Sequence, residues 1–438
     1  MVESKIPKRV ATSLVSSLTN GATPRLGLEY ITVGRKKEIS VILNDLEYVK
    51  DGGSSFKFII GQYGSGKSFM LQAIRNKALD QNFVVMDVDL SPEKRLCGTG
   101  NKGLMTYRSL MSSIAIKAKP TGGALESLIQ RWINKLSKAV SDGDINLDAD
   151  NRIKRYLQQD LNKEIEKAVA NMNSVVYQYD FTKVMETYLE GYLFDSEDLK
   201  KNALKWFSGG YEGKRESYHD FNINNFIGDA NWFSFIKLWA EFVKSIGYSG
   251  LVIFFDEAKT LANIASSVGR NNNYEVLLSM FNDTVQGRAP YLYILMGGTD
   301  EFVEDSKRGL FSYAALRSRL EDGKYAEIAG KRNWDAPLMP LKVLTNEEIY
   351  ALMLRLRDIH GYRYEYEPRV TDDDLEVLLN ETVNRVGASV NLTAREVTRN
   401  TMNVLGTLYH NPEMKFKDVL KDSIGTPEDE EEDFLIDD

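Results

Sequence analysis

The feature that most constrains this chain is a short apolar run, Phe56 to Ile60, followed at once by Gly61-Gln62-Tyr63-Gly64-Ser65-Gly66-Lys67-Ser68 and then by helix-forming residues to position 80. The octet fits G-x-x-x-x-G-K-[ST], and strand, glycine loop and helix in that order are the setting in which it wraps phosphates. Glycines let successive backbone N–H groups reach phosphate oxygens that a Cβ would keep away. The N-terminus of the following helix adds positive dipole at the same spot. Lys67 is expected to hold the β- and γ-phosphates of ATP, and the Ser68 hydroxyl to ligate Mg2+. Phe69 carries the binding segment into the helix. A second strand, Phe83 to Val88, makes this the start of a parallel α/β sheet.

Ahead of the first strand, Ile39, Ile42, Leu43 and Leu46 predict a helix over 36–50. Residues 1–30 read as mixed, with turns at Asn20-Gly21 and Thr23-Pro24. Runs at Gly250 to Phe255, Tyr291 to Met296 and Tyr325 to Ile328 are expected to continue the sheet. Between the second and third strands, about 103–247, four segments carry helical periodicity, with polar breaks at 141–151 and 208–220. Their lengths do not repeat, which argues against a solenoid. Thr345 with Glu348 predicts a capping box for a helix to about His360. Further helices are expected from Thr371-Asp372 to near Gly387 and over 391–410. The expected organisation is an N-terminal segment 1–30, an α/β core 31–340 with the helical insertion, a helical lid 341–411 and a C-terminal segment 412–438.

Composition narrows the function. No run of about 18 apolar residues is present, so no membrane-spanning helix is expected. The basic N-terminus lacks the apolar stretch of a secretory signal. One cysteine, Cys97, excludes an intrachain disulfide, and three histidines (His219, His360, His410) with it cannot build a Cys/His zinc site. Both point to the cytoplasm. The net charge of −8 resides in residues 427–438, whose eight acids stand without a Lys or Arg, so the remainder is neutral. The tail reads as a solvated terminus or as a partner-binding segment anchored by Phe434, Leu435 and Ile436.

Four further elements carry chemistry. Leu251 to Phe255 ends in Asp256-Glu257, where Asp256 is expected to hold Mg2+ and Glu257 to polarise an attacking water. About 190 residues separate this pair from the glycine loop, and the helical insertion accounts for the gap. Thr299, after Gly297-Gly298 at the end of the next strand, is the candidate sensor of the γ-phosphate, with Asp300 as a helix cap. In Leu316-Arg317-Ser318-Arg319-Leu320, Arg319 is preferred and Arg317 second as an arginine finger supplied to a neighbouring subunit. Arg395, with Arg399 one turn on, could swing onto the phosphates from the lid. Upstream, Val33-Gly34-Arg35 could frame the adenine, with Gly34 allowing close packing and Arg35 anchoring the loop.

These elements in this order resemble the AAA+ ATPases, in their initiator and clamp-loader branches. A closer resemblance is to the BREX-type ATP-binding proteins BrxC/BrxD. It is carried by Gly21-Ala22-Thr23-Pro24, Gly27-Leu28-Glu29, Val33-Gly34-Arg35, Phe56 to Ser68, Ala203 to Gly209 and Gly247 to Ala258, within about residues 15–410. Gln62 and Ser68 stand where that family often carries Glu and Thr; both keep the loop geometry and a hydroxyl for the metal. The resemblance implies a defence role against phage, beside helicases, nucleases or methyltransferases.

The expected function is an oligomeric Mg-ATP-hydrolysing ATPase that binds or remodels DNA without sequence specificity. Lys117, Lys119, Arg131, Lys135, Arg152, Lys154 and Arg155 on the insertion are the candidates for a phosphate-tracking face. The alternative is a slow nucleotide-gated scaffold that recruits a protein effector. A small-molecule phosphotransferase fits less well, because such an enzyme has no need of Glu257 after Asp256 or of a helical lid.

Overall fold

The computed structural model describes residues 6–140, 145–172, 177–321, 327–328, 331–386 and 393–423. The acidic tail, Gly387 and the Asn391-Leu392 pair lie outside them. The chain opens with α1 (Lys8–Thr19), which buries Ala11, Leu14, Val15 and Leu18, an i, i+3, i+4, i+7 stripe. The mixed character expected for residues 1–30 is therefore corrected to a helix over much of that stretch. Next come α2 (Leu28–Ile31), α3 (Lys36–Lys50), β1 (Ser55–Ile60), α4 (Lys67–Asp80) and β2 (Val84–Asp89). The insertion comprises α5 (Lys102–Ser113), α6 (Leu125–Val140), α7 (Asn151–Ala170), α8 (Gln178–Leu193), α9 (Glu197–Phe207), α10 (Lys214–Phe221) and α11 (Trp232–Ser245). The polar break expected at 208–220 thus holds α10, whose Glu216 pairs with Lys205.

After the insertion follow β3 (Leu251–Asp256), α12 (Lys259–Ala262), α13 (Ser267–Val285), β4 (Leu292–Gly298), α14 (Asp300–Glu304) and α15 (Ala314–Leu320). Then come β5 (Glu327–Ile328), β6 (Lys331–Arg332) and β7 (Leu338–Pro340), and finally α16 (Asn346–Tyr364), α17 (Asp372–Val386), α18 (Ala394–His410) and α19 (Phe416–Ser423). No helix among the described residues is long and apolar enough to cross a membrane.

The chain divides into two compact units. One comprises Met1–Lys36, Gln62–Ala73 and Leu341–Asp438. Its core gathers Leu14 and Leu18 of α1 with Leu352 and Leu356 of α16, Leu375 of α17 and Leu405 of α18. α16 starts at a full capping box: Thr345 Oγ1 accepts from Glu348 N at 3.3 Å, and Glu348 Oε2 accepts from Thr345 N at 3.0 Å. Deeper in the same helix His360 is buried. Its Nδ1 lies 2.9 Å from Tyr366 Oη, and the rings of Tyr364, Tyr366 and Tyr409 surround it.

Burial, and then the nearby His410, push His360 down to about 4. The folded chain therefore keeps this imidazole neutral, whereas the unfolded chain protonates it near the ordinary value of about 6.5. The resulting stability is complete above pH ~6.5 and is lost as pH falls toward 4. At pH 5 the loss is expected to be about 2 kcal/mol, and His360→Gln should remove that part of the pH dependence. Urea unfolding of both proteins at pH 7.5 and pH 5 checks this; identical pH dependence in the two would contradict it.

The other unit comprises Lys37–Gly61 and Ile74–Pro340. It is built on a five-stranded parallel sheet in the order β2-β3-β4-β1-β7. The sheet and the inserted helices share one continuous core. Nearly every residue of β1, β3 and β4 is buried, as a sheet covered on both faces requires. Of the strand expected at Tyr325 to Ile328, Tyr325 and Ala326 lie outside the described residues, and Glu327–Ile328 is not part of this sheet. Glu327–Ile328 pairs antiparallel with Lys331–Arg332 as a separate two-stranded sheet, and the fifth strand is Leu338–Pro340 beside Phe58–Ile60. A three-residue segment ending in proline sits at the sheet edge, where a missing N–H leaves no inner ladder bond broken.

β1 also carries a buried lysine. Lys57 Nζ reaches the carbonyl oxygens of Trp334 (3.1 Å), Asp335 (3.4 Å) and Ala336 (3.2 Å), and Asp45 of α3 at 3.7 Å. Tyr293 of β4 donates to the same Asp45 at 2.7 Å. Burial raises the Asp45 carboxyl in spite of Lys57. This network fastens the segment leading into β7 to the middle of the sheet.

Candidate nucleotide site

In the first unit the glycine loop leads into α4. Gly64 lies at φ +80°, and a Cβ there would come within 2.3 Å of the Thr393 methyl. Backbone conformation and close approach therefore both require glycine. Lys67 Nζ donates to the Gln62 carbonyl at 2.8 Å, across the loop. Ser65 is buried and its Oγ has no hydrogen-bond partner among the described residues. Gly66, Lys67, Ser68 and Phe69 are half-buried, and Phe69 packs on the core of this unit.

Two sequence-predicted residues reach this loop from elsewhere in the same unit. Arg35 is buried and donates to Ser65 O at 3.0 Å and to Lys342 O at 2.6 Å. Arg395, exposed on the first turn of α18, donates to Tyr63 Oη at 3.3 Å. Thr393 caps that helix by accepting from Glu396 N at 3.1 Å, so α18 presents its N-terminus beside the loop. Val33 packs on the unit's core, and Gly34, at φ +66°, faces the Glu348 carboxylate so closely that any Cβ would collide with it.

In the second unit the strand ends form a second group. Asp256 closes β3, and Glu257 is exposed at φ +55°. A left-handed backbone costs a residue with a Cβ about 1–2 kcal/mol, and such strain clusters at functional sites. It is held by a hydrogen bond from Glu257 N to Asp256 Oδ1 (2.8 Å) and one from Thr260 N to Glu257 O (3.0 Å). Ala258 N donates to Gly297 O at 3.0 Å, and Gly61 N to Gly298 O at 3.2 Å, which knits together the ends of β3, β4 and β1.

Thr299 follows β4 and is the N-cap of α14, with Oγ1 accepting from Phe302 N at 3.2 Å. The capping role expected for Asp300 thus falls to Thr299, since Asp300 is the first residue inside the helix. Arg319, exposed on α15, donates to Asn282 Oδ1 at 2.9 Å and to Ala315 O at 2.7 Å. Arg317 forms a two-pronged pair with Glu321 at 3.0 and 2.9 Å.

Asp89 is a member of this group that sequence reasoning missed. It ends β2 in register with Asp256. Burial first, and then the Asp256 charge, raise its carboxyl above the ordinary range. Only the strand register shows the pairing, because the two residues lie on opposite sides of the insertion. Among the described residues no group of three or more His, Cys, Asp or Glu is arranged to hold a metal by itself. The carboxylates at these strand ends are single ones, the type of ligand that Mg2+ takes together with substrate phosphates.

No curated protein matches the chain. The family model for BREX system ATP-binding protein BrxC/D matches residues 6–424, and the chain belongs to that family.

Proposed function

We propose that this protein is a Mg-ATP-hydrolysing ATPase that assembles with copies of itself and works on DNA within an anti-phage defence complex of the cytoplasm. The observation that carries the hydrolytic part is Glu257. Its carboxylate follows the metal-type Asp256 at the end of β3 and is exposed, on a left-handed backbone of the kind that also occurs at functional sites. The glycine loop supplies the binding part. Its backbone N–H groups and Lys67 would hold the phosphates, and the unpartnered Ser65 Oγ suits a loop built for an oxygen-rich ligand. Ser68 and Asp256 would hold Mg2+, which neutralises developing phosphate charge when bound. Glu257 would accept the proton of the attacking water. Arg395, now on Tyr63, would turn to the phosphates, and Thr299 would orient the water through the hydroxyl that caps α14. Helicase or nuclease partners would come from the same defence system.

A second reading, a slow nucleotide-gated scaffold, draws on one observation. The Arg319 guanidinium is engaged by Asn282 and Ala315 of its own chain, and Arg317 by Glu321, so a finger offered to a neighbour must first leave these contacts. Steady-state ATP turnover across protein concentration, with and without duplex DNA, separates the two readings. An assembled DNA-linked ATPase gives a specific activity that rises with both. Turnover that is flat with concentration and indifferent to DNA contradicts assembly and DNA coupling, and leaves the scaffold.

A further inference from the structure

Of the seven basic residues of the insertion that are candidates for a phosphate-tracking face, Lys119 is an exposed residue of the turn after α5, and the structure sorts the other six. Arg131 donates to Ile246 O at 3.3 Å and lies over the Tyr248 ring. Lys135 donates to Ser245 O at 2.5 Å, and Lys117 pairs with Asp80 at 2.9 Å. These three serve their own surroundings. Arg152, Lys154 and Arg155 differ: among the described residues no carboxylate lies within ion-pair distance of any of them.

All three fall in the first half of α7. That helix is 20 residues long, yet its buried residues, Leu161, Ile165 and Val169, all lie in the second half. From Asn151 to Asp160 no side chain is buried. The lysines further along the helix are paired, Lys163 with Asp160 (3.1 Å) and Lys167 with Glu164 (2.6 Å). The first half carries three cations close to the positive end of the helix dipole, where cations are disfavoured. Asp150 and Asp148 precede the helix, but one Asp150 oxygen is committed to Arg152 N at 2.8 Å. On this helix Arg152, Arg155, Tyr156 and Gln159 stand at i, i+3, i+4 and i+7, hence on one face. Tyr156 is 71% exposed, and Ile153 beside it is 60% exposed. The Arg155 guanidinium is steadied over the Phe194 ring at 5.1 Å.

We infer that the first half of α7 is a docking face for single-stranded DNA. Arg152 and Arg155 contact phosphates and Tyr156, on the same face, stacks on an unpaired base; Lys154, on another side of the helix, adds only to the local positive field. The charge selects a polyanion, and an open aromatic ring among the cations selects a strand whose bases are free to stack over a closed duplex. The inference rests on the DNA-linked reading above and deepens it by naming the strand and the surface.

The test is fluorescence anisotropy of a labelled 30-nucleotide single strand, and of a duplex of equal length, on the full chain across a salt series. Wild type should bind the single strand more tightly. The double variant Arg152→Gln, Arg155→Gln should weaken binding by about tenfold or more and flatten the slope of log K against log salt by about 1.4, since each phosphate contact on a single strand contributes about −0.7. Tyr156→Ala should weaken single-strand binding by about tenfold and leave the salt slope unchanged. Because Arg152 and Tyr156 are exposed and Arg155 only lies over the Phe194 ring, melting temperatures should stay within a few degrees of wild type. Wild-type binding with both variants unaffected overturns this surface and leaves DNA binding in place elsewhere. Wild type that binds neither DNA at low salt overturns the DNA-linked reading itself. Binding to vesicles of anionic lipid but to neither DNA makes the face a membrane contact and also overturns the inference.

Discussion

Glu257→Gln is expected to lower ATP turnover by at least about 100-fold while leaving ATP affinity within about twofold. General-base assistance contributes about 10²–10⁴ to such reactions, and an amide keeps the size of the carboxylate without its basicity. The site is built to tolerate the change. Glu257 is exposed, and what holds its backbone at φ +55° are bonds of its own main chain, N–H to the Asp256 carboxylate and C=O from Thr260 N, that the substitution does not touch. The folded structure should therefore persist, and the loss should appear in the chemical step. Turnover measured beside equilibrium binding of labelled ATP checks both halves. A variant that turns over ATP at close to the wild-type rate would remove Glu257 from the reaction. One that loses ATP binding as well would make it a structural residue.

The second large effect concerns the insertion. Trp239→Ala is expected to destabilise the protein by about 3–5 kcal/mol. Trp239 is fully buried, and its ring meets Phe181, Phe207 and Phe242 edge-on at 5.4, 5.3 and 5.1 Å. Edge-to-face pairs add to the area they bury. Its Nε1 donates to Tyr107 Oη at 3.2 Å, and that hydroxyl donates to Phe207 O at 2.8 Å. Alanine leaves a void among three rings and removes a donor from a buried hydroxyl, whereas Trp239→Phe keeps most of the volume and should cost clearly less. Because these rings belong to the same core as the strands, unfolding followed by sheet-sensitive and aromatic probes should remain one transition. A denaturation midpoint for Trp239→Ala close to that of wild type would contradict this account of the insertion as part of the sheet's own core.

That insertion was legible because its long helices repeat apolar residues at 3.6-residue spacing, and the early strands because they are nearly continuous apolar runs. What stayed hidden depended on contacts between distant residues. β7 is three residues beside prolines and gives no strand signal; its place is set by Phe58–Ile60. Lys57 interrupts the otherwise apolar run of β1, and only the carbonyls of Trp334, Asp335 and Ala336 show how a lysine can sit inside the sheet. The short helix α10 is too polar and too brief to stand out. α1 carried a readable stripe, but its serines and threonines are weak helix formers and obscured it. At the site, the glycine loop and the Asp256-Glu257 pair were evident from type and order alone. Arg395 reaching Tyr63 across 332 positions, and Asp89 beside Asp256, required the fold.

The central claim, that this chain hydrolyses the ATP its glycine loop is built to bind, is tested most directly by phosphate release from stoichiometric Mg-ATP in a single turnover. The account predicts release of close to one phosphate per chain from wild type, and none on the same timescale from Lys67→Ala, which removes the loop's phosphate-binding cation. Tightly bound ATP recovered intact from wild type after prolonged incubation would contradict it.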